Sequence, residues 1–224
     1  MNLNRNLIKS IQNKALANFS KLLTLSLRHN QIDVLQDHAF FGLGSLKSLD
    51  LSYNGIVAIS SASLQHLTRL TTLDLTHNFL RALTADLITP LPSLKDLRLS
   101  GNDISIVARN ALDGAHELKS LSMQENPLSC DCTIREFAEW LQSANLVSQD
   151  LLTITCATPP KLEGAPLIQI PNEMLNCDSE NVEKDNDDII QQLESFAKHN
   201  HTTNQLKDLS DKVYKILTMV SIFP

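Results

Sequence analysis

With 224 residues the chain has room for one ordinary domain or for a solenoid with an appendage, and its 42 % hydrophobic but 4 % aromatic content places the apolar mass in leucine and isoleucine. A net charge of −6, a pI of about 5.6 and the lack of any local Lys/Arg cluster argue against nucleic acid as a partner. No run of 18 or more apolar residues occurs, so no transmembrane helix is expected within this chain.

From the start of the chain one pattern repeats. Asn30, Asn54, Asn78, Asn102 and Asn126 recur at intervals of 24, and each closes the frame L-x-x-L-x-L-x-x-N, with Met123 in place of the last leucine of the fifth frame. Aliphatic residues follow two positions on (Ile32, Ile56, Leu80, Ile104, Leu128) and five positions on (Leu35, Ile59, Leu83, Val107). The alternation Leu25-Ser26-Leu27 is that of a short strand with its leucines on one face. One such strand per repeat, paired in parallel with the next, cannot bury its leucines alone; stacking buries them between layers. The asparagine turns the chain out of the strand, and its amide can bond to backbone groups that would otherwise be buried unpaired. These asparagines are therefore expected to be structural, with no ligand or metal role.

This pattern resembles the leucine-rich repeat family, in the 24-residue form common among extracellular animal proteins. The inner stretches "AFFGLGSL" (Ala39 to Leu46) and "ALANFSKL" (Ala15 to Leu22) match that form, and the resemblance covers residues 1 to about 128. It implies an α/β fold: a leucine-rich-repeat solenoid, a right-handed β-α superhelix with short parallel strands on the concave face. Stepping back by 24 from Asn30 gives Asn6, with Ile8, Ile11, Leu16 and Phe19 on core positions and Met1 in the slot of Leu25. The first repeat is thus read as partial. "MNLNRNLIKS" lacks the apolar stretch of a signal peptide, and upstream sequence carrying an N-terminal cap and a signal peptide is expected to be missing.

After Leu128 the pattern stops. Cys130, Cys132, Cys156 and Cys177 are the chain's four cysteines and lie within one 48-residue window. C-x-C followed by two widely spaced single cysteines is poor zinc spacing, which favours disulfides and an oxidising compartment over a metal site. Thr133-x-x-Glu136 reads as a capping box opening the helix "TIREFAEWLQ", with Ile134, Phe137 and Leu141 on one face and Trp140 in the core. Spacing alone leaves three connectivities open, although Cys130 and Cys132 are too close to pair easily. The order N-P, C-x-C, a helix ending in W-L, C-x-x-P-P, G-x-x-L and a last cysteine resembles the cysteine-rich C-terminal flanking module of extracellular leucine-rich repeats, of the kind found in Slit, Toll receptors and single-pass cell-surface proteins. Leu128 departs from it, since many members carry an aromatic residue there. The resemblance implies the pairs Cys130–Cys156 and Cys132–Cys177, in a disulfide-bonded cap that seals the last repeat.

Beyond Cys177 the composition turns acidic. The resulting division is 1–126 repeats, 127–178 flanking module, 179–188 acidic linker, and 189–224 a helical or partly disordered tail. Leu206, Leu209, Val213, Ile216 and Val220 follow a heptad rhythm too short for a firm coiled-coil assignment, which leaves a marginal amphipathic stalk or homo-oligomerisation through 189–224. Asn18 and Asn200 head N-glycosylation sequons.

No nucleophile–base pair, metal cluster or phosphate loop is present, so catalytic residues, cofactors and metal are all expected to be none. Recognition is left to the polar strand positions, which line the concave face. Read across repeats, they give Arg28, Asp50, Tyr53, Asp74, His77, Asp96 and Arg98 as candidate ligand-binding residues, with Asp50 beside Asp74 and Arg98 placed to relieve their repulsion. Phe41 and Phe79 are rim candidates. The expected function is a non-enzymatic ectodomain, extracellular or at the plasma membrane, that binds a protein ligand or receptor. The alternative is a secreted matrix protein assembled through its C-terminal helix.

Overall fold

The computed structural model describes residues 1–146, 151–177 and 191, so the expectations for the linker, for Asn200 and for the tail lie outside the described residues. Five strands, β1 (Thr24–Ser26), β3 (Ser48–Asp50), β5 (Thr72–Asp74), β7 (Asp96–Arg98) and β9 (Ser120–Ser122), form one parallel sheet in that order. Every pair is in register with its 24-residue equivalent, as in Leu25↔Leu49↔Leu73↔Leu97↔Leu121. Between them run two-residue strands on the opposite side: β2 (Val34–Leu35) with β4 (Ala58–Ile59), and β6 (Ala82–Leu83) with β8 (Ile106–Val107). The leucines of both strand columns are almost wholly buried, and one continuous aliphatic core runs along the stack.

The return legs depart from the β-α expectation. Only α1 (Ala85–Ile88) is α-helical among the repeats; the others are chains of tight turns. In the second repeat the N–H groups of Ala39, Phe41, Leu43 and Leu46 each bond three residues back, to the carbonyls of Gln36, His38, Phe40 and Leu43. Such i→i+3 bonding is tighter than α and fits a leg too short for a helix.

At the front of the chain Asn2 bridges to Ser26 in parallel, and Leu3 N–H bonds to the Ser26 carbonyl at 2.8 Å. Of the residues read as core there, Ile11 is buried, Ile8 and Leu16 are half-buried, and Phe19 is 43 % exposed. A core side chain is covered from both neighbouring layers, and the described residues cover this layer from the side of the next repeat.

The asparagines tie the layers together. Asn78 Nδ2 donates to the carbonyl of Leu75 in its own repeat (2.9 Å) and of Leu51 in the preceding one (3.1 Å), while Oδ1 accepts from the Ile56 N–H (3.0 Å). Asn54, Asn102 and Asn126 make the same three bonds, and Asn30 makes them to Leu27, Leu3 and Ile8. All five are buried, whereas Asn6 is exposed.

At the other end β10 (Leu128–Ser129) pairs in parallel with β11 (Cys156–Thr158), as though β11 belonged to a further repeat. Cys130 is bridged to Cys156 and Cys132 to Cys177, with Cα separations of 5.7 and 5.1 Å. The helix α2 (Arg135–Ser143) buries Phe137, Ala138 and Leu141, and Phe137 and Trp140 line one cavity with Val107, Ala111 and Leu112 of the last repeat. The capping box is corrected. The cap is Asp131, whose Oδ1 accepts from Thr133 N–H (2.8 Å) and the Thr133 hydroxyl (2.5 Å), so that Cys132–Ile134 first form a 3-10 turn and the α-helix starts at Arg135. Thr133 spends its hydroxyl proton on Asp131, leaving Asp131 as the residue that satisfies the helix entry.

Removing the Asn78 amide leaves the buried Ile56 N–H without a partner and takes one of two donors from each of the Leu75 and Leu51 carbonyls, which keep Asn102 and Asn54. Asn78→Ala is expected to lower stability by about 3 kcal/mol, and Asn78→Asp by at least as much because a carboxylate oxygen would face two carbonyls. Asn6→Ala, at the exposed position, is expected to cost under about 1 kcal/mol. Urea unfolding followed by circular dichroism distinguishes the three variants.

Candidate functional site on the concave face

The candidate residues sit on the five-stranded sheet and along the corner that follows it. The corner column, Arg5, His29, Tyr53, His77, Gly101 and Glu125, has φ between 52° and 65° throughout. A left-handed conformation is unfavourable for non-glycine residues, yet here it recurs because the backbone ladder holds it. The N–H groups of His29, Tyr53, His77 and Gly101 bond to the carbonyls of Ser52, Thr76, Ser100 and Gln124 at 2.8–3.1 Å. The column therefore projects side chains in parallel from adjacent layers. His29 packs tilted against Tyr53 at 4.6 Å between centroids, and Tyr53 likewise against His77 at 4.4 Å. The Arg28 guanidinium lies 4.3 Å from the centre of the Tyr53 ring and donates to Ser52 Oγ at 3.0 Å.

The acidic candidates stand in the middle of the sheet, with Asp50 and Asp74 paired in register. Their carboxylates are already engaged. Asp50 accepts from Ser52 N–H (3.0 Å) and from the Ser52 hydroxyl (2.6 Å), and lies 2.8 Å from the Ser26 hydroxyl, whose single proton is shared between Asp50 and Asn4 Oδ1 at 2.6 Å. Asp74 accepts from Thr76 N–H at 2.9 Å and lies 3.8 Å from Arg98, which pairs closely with Asp96 at 2.6 Å. The Asp96 hydrogen bond, with the charges of Asp96, Asp74 and Asp50 behind it, holds the Arg98 pKa above its ordinary value against some desolvation. The seven residues thus fall into two adjoining groups. Arg28, Asp50, Tyr53 and His77 are joined through Ser26, Ser52 and His29; Asp74, Asp96 and Arg98 form an ion cluster.

Ser26 and Ser52 were not among the candidates, though both lie in strand columns readable from the period. Phe79 is 52 % exposed, one residue past the ladder asparagine. Phe41 is not on this rim: it is half-buried on the return leg, edge-on to His66 at 4.7 Å with the Lys14 ammonium 5.4 Å from its centre. Of the two sequons, Asn18 is exposed in the first repeat. The face offers hydroxyls, carboxylates, the guanidiniums of Arg28 and Arg98, and a row of rings.

A family model described as "Leucine rich repeat" matches residues 1–56, 20–80 and 68–128, and one described as "Leucine rich repeat C-terminal domain" matches residues 153–178. Over 53 residues, 24 % of this chain and 14 % of the relative, the sequence is 40 % identical to a trophoblast glycoprotein-like protein of Mus musculus. A crystal structure of a TLR13–ssRNA13 complex superposes with a TM-score of 0.55 at 37 % identity, covering 57 % of this chain and 18 % of that one. The chain therefore spans less than a fifth of either protein.

The ring row depends on one missing side chain. Gly101 occupies the corner position next to His77, at φ 65°, and a Cβ there would overlap the His77 imidazole. Gly101→Ala is expected to displace that ring, to lower stability by about 1–2 kcal/mol through the left-handed backbone, and to move the imidazole proton resonances of His77 while leaving those of His116 in place.

Proposed function

The chain belongs to the leucine-rich repeat family, and on that premise we propose that it is a non-enzymatic protein-binding ectodomain of a cell-surface or secreted protein, acting as a receptor, an adhesion protein or a modulator of signalling. The observation that carries this reading is the patch of Arg28 over Tyr53, with His29 and His77 packed on either side. An ordered aromatic ring with an arginine on its face combines the residue types that dominate binding hot spots, and here both are fixed before any partner arrives. Two disulfides support an oxidising compartment, and no helix among the described residues is long and apolar enough to cross a membrane.

The concave face also narrows the partner. The structural neighbour was crystallised with single-stranded RNA, but three carboxylates with one guanidinium at the centre of this sheet would repel a phosphate backbone. A protein surface suits better, offering basic or hydroxyl groups to Asp50, Asp74 and Asp96 and an acidic or aromatic group to the Arg28–Tyr53 end.

The test is a binding screen of the secreted chain against an array of cell-surface and secreted ectodomains. A true partner is expected to lose about thirtyfold in affinity with Tyr53→Ala or Arg28→Ala, the size of a hot-spot loss of about 2 kcal/mol. Gln65→Ala, exposed on the return leg, is expected to leave binding unchanged. A partner that binds Tyr53→Ala and Arg28→Ala as well as the native chain would overturn this assignment of the site.

A further inference from the structure

Residues 1–126 hold twelve Lys and Arg against ten Asp and Glu, so the chain's overall negative charge comes from downstream of the repeats. Four of those cations have evident places: Arg28 and Arg98 serve the concave face, Lys14 lies over Phe41, and Arg81 is half-buried. Of the other eight, five fall into a row. Lys21, Lys47, Arg69, Lys95 and Lys119 are all exposed, and none of the five is within ion-pair distance of a carboxylate among the described residues.

These five occupy one edge of the solenoid, where the chain enters each strand of the main sheet. They provide one cation per repeat in five consecutive repeats. Lys47, Lys95 and Lys119 share one column; where that column holds Leu23 and Thr71, the cation comes two residues earlier, as Lys21 and Arg69. The column is held by its own backbone ladder: Lys47 N–H to the Leu23 carbonyl, Thr71 to Lys47, Lys95 to Thr71 and Lys119 to Lys95, at 2.8–2.9 Å. Successive members therefore follow the strand spacing of about 4.8 Å, and the row is about 19 Å long. Glu117 is the single acid in these two columns, and His116 beside it is exposed.

A straight row of unpaired like charges at such spacing attracts counter-ions, and a ligand that displaces them gains from their release. The fitting ligand is linear and carries regularly repeated negative charge. A single-stranded nucleic acid also needs aromatic platforms for its bases, and these columns contain none; the exposed rings of Tyr53 and Phe79 lie at the other end of the strands. What stands between the cations is hydroxyl: Ser45, Thr71 and Ser93. The hydroxyl protons of Thr71 and Ser93 go to the carbonyls of Lys47 and Thr68, leaving their oxygens as acceptors. Alternating ammonium and hydroxyl groups match sulfate and sugar hydroxyls. From this we infer that the edge formed by Lys21, Lys47, Arg69, Lys95 and Lys119 binds a linear sulfated polysaccharide, separately from the concave site.

The probes are a heparin octasaccharide, its desulfated counterpart and a single-stranded oligouridylate, each titrated against the full chain over a range of salt. Lys95→Glu/Lys119→Glu is expected to weaken binding of the heparin octasaccharide by at least about tenfold and, at about 0.7 per cation, to reduce the slope of log affinity against log salt by about 1.4. Lys9→Glu/Lys161→Glu makes the same change in net charge at exposed sites outside the row, and is expected to stay within about twofold of the native chain. Equal losses in the two double variants, binding that survives desulfation, or tighter binding of the oligouridylate would each overturn the inference, as would no binding of the heparin octasaccharide at low salt.

Discussion

The interaction on which the rest depends is the buried asparagine amide. Each of the five satisfies a carbonyl of its own repeat, a carbonyl of the repeat before and an N–H 22 residues earlier, as Asn78 does with Leu75, Leu51 and Ile56. Those backbone groups lie at a corner where no strand can pair them, and leaving them buried without partners would cost more than most single contacts provide. One asparagine thus couples two layers. Because its geometry admits one register, the period cannot slip, and a fixed period is what makes columns of side chains.

Columns turn scattered residues into surfaces. His29, Tyr53 and His77 are 24 residues apart in sequence, yet their rings pack within 4.6 Å. Lys47, Lys95 and Lys119 are far from any basic stretch in the sequence, yet consecutive backbone bonds place them on one edge. The concave face, the ring rim and the basic edge are three readings of the same repeat at different positions within it. They differ in charge because each column varies independently while the leucines and asparagines stay constant.

This explains what was legible in the sequence. The leucine frame and the asparagines state the fold outright, since their spacing has one physical solution. The candidate residues were found as columns, but their engagement was not: that Asp50 holds Ser52 and Ser26 depends on side-chain geometry across the sheet, which a period does not specify. Thr133 matched a capping pattern that Asp131 fulfils two residues earlier, because both residue types cap and only the backbone decides between them. Phe19 lay on a core column and is exposed, since a position in the period says nothing of whether a second layer covers it. The lysine row is invisible to a linear reading because Lys21, Lys47, Arg69, Lys95 and Lys119 stand more than 20 residues apart and meet only through the stacking.

The engagement of the concave side chains bears on how such a face can recognise anything. A carboxylate held by the N–H and hydroxyl of one serine, as Asp50 is by Ser52, cannot swing to meet a partner without breaking bonds on a half-buried surface. It can only be met where it stands. That raises the cost of an ill-fitting partner and removes the ordering entropy that a free side chain would lose on binding. The exposed Arg98 pair contributes little to stability, so its effect is chiefly to spread the charge of Asp74 and Asp96 rather than to hold the sheet. On the proposed reading of this face, its centre would serve as a fixed template. Adaptable contact falls to its rims, where Tyr53, His77 and Phe79 are exposed and the lysine side chains are unpaired among the described residues.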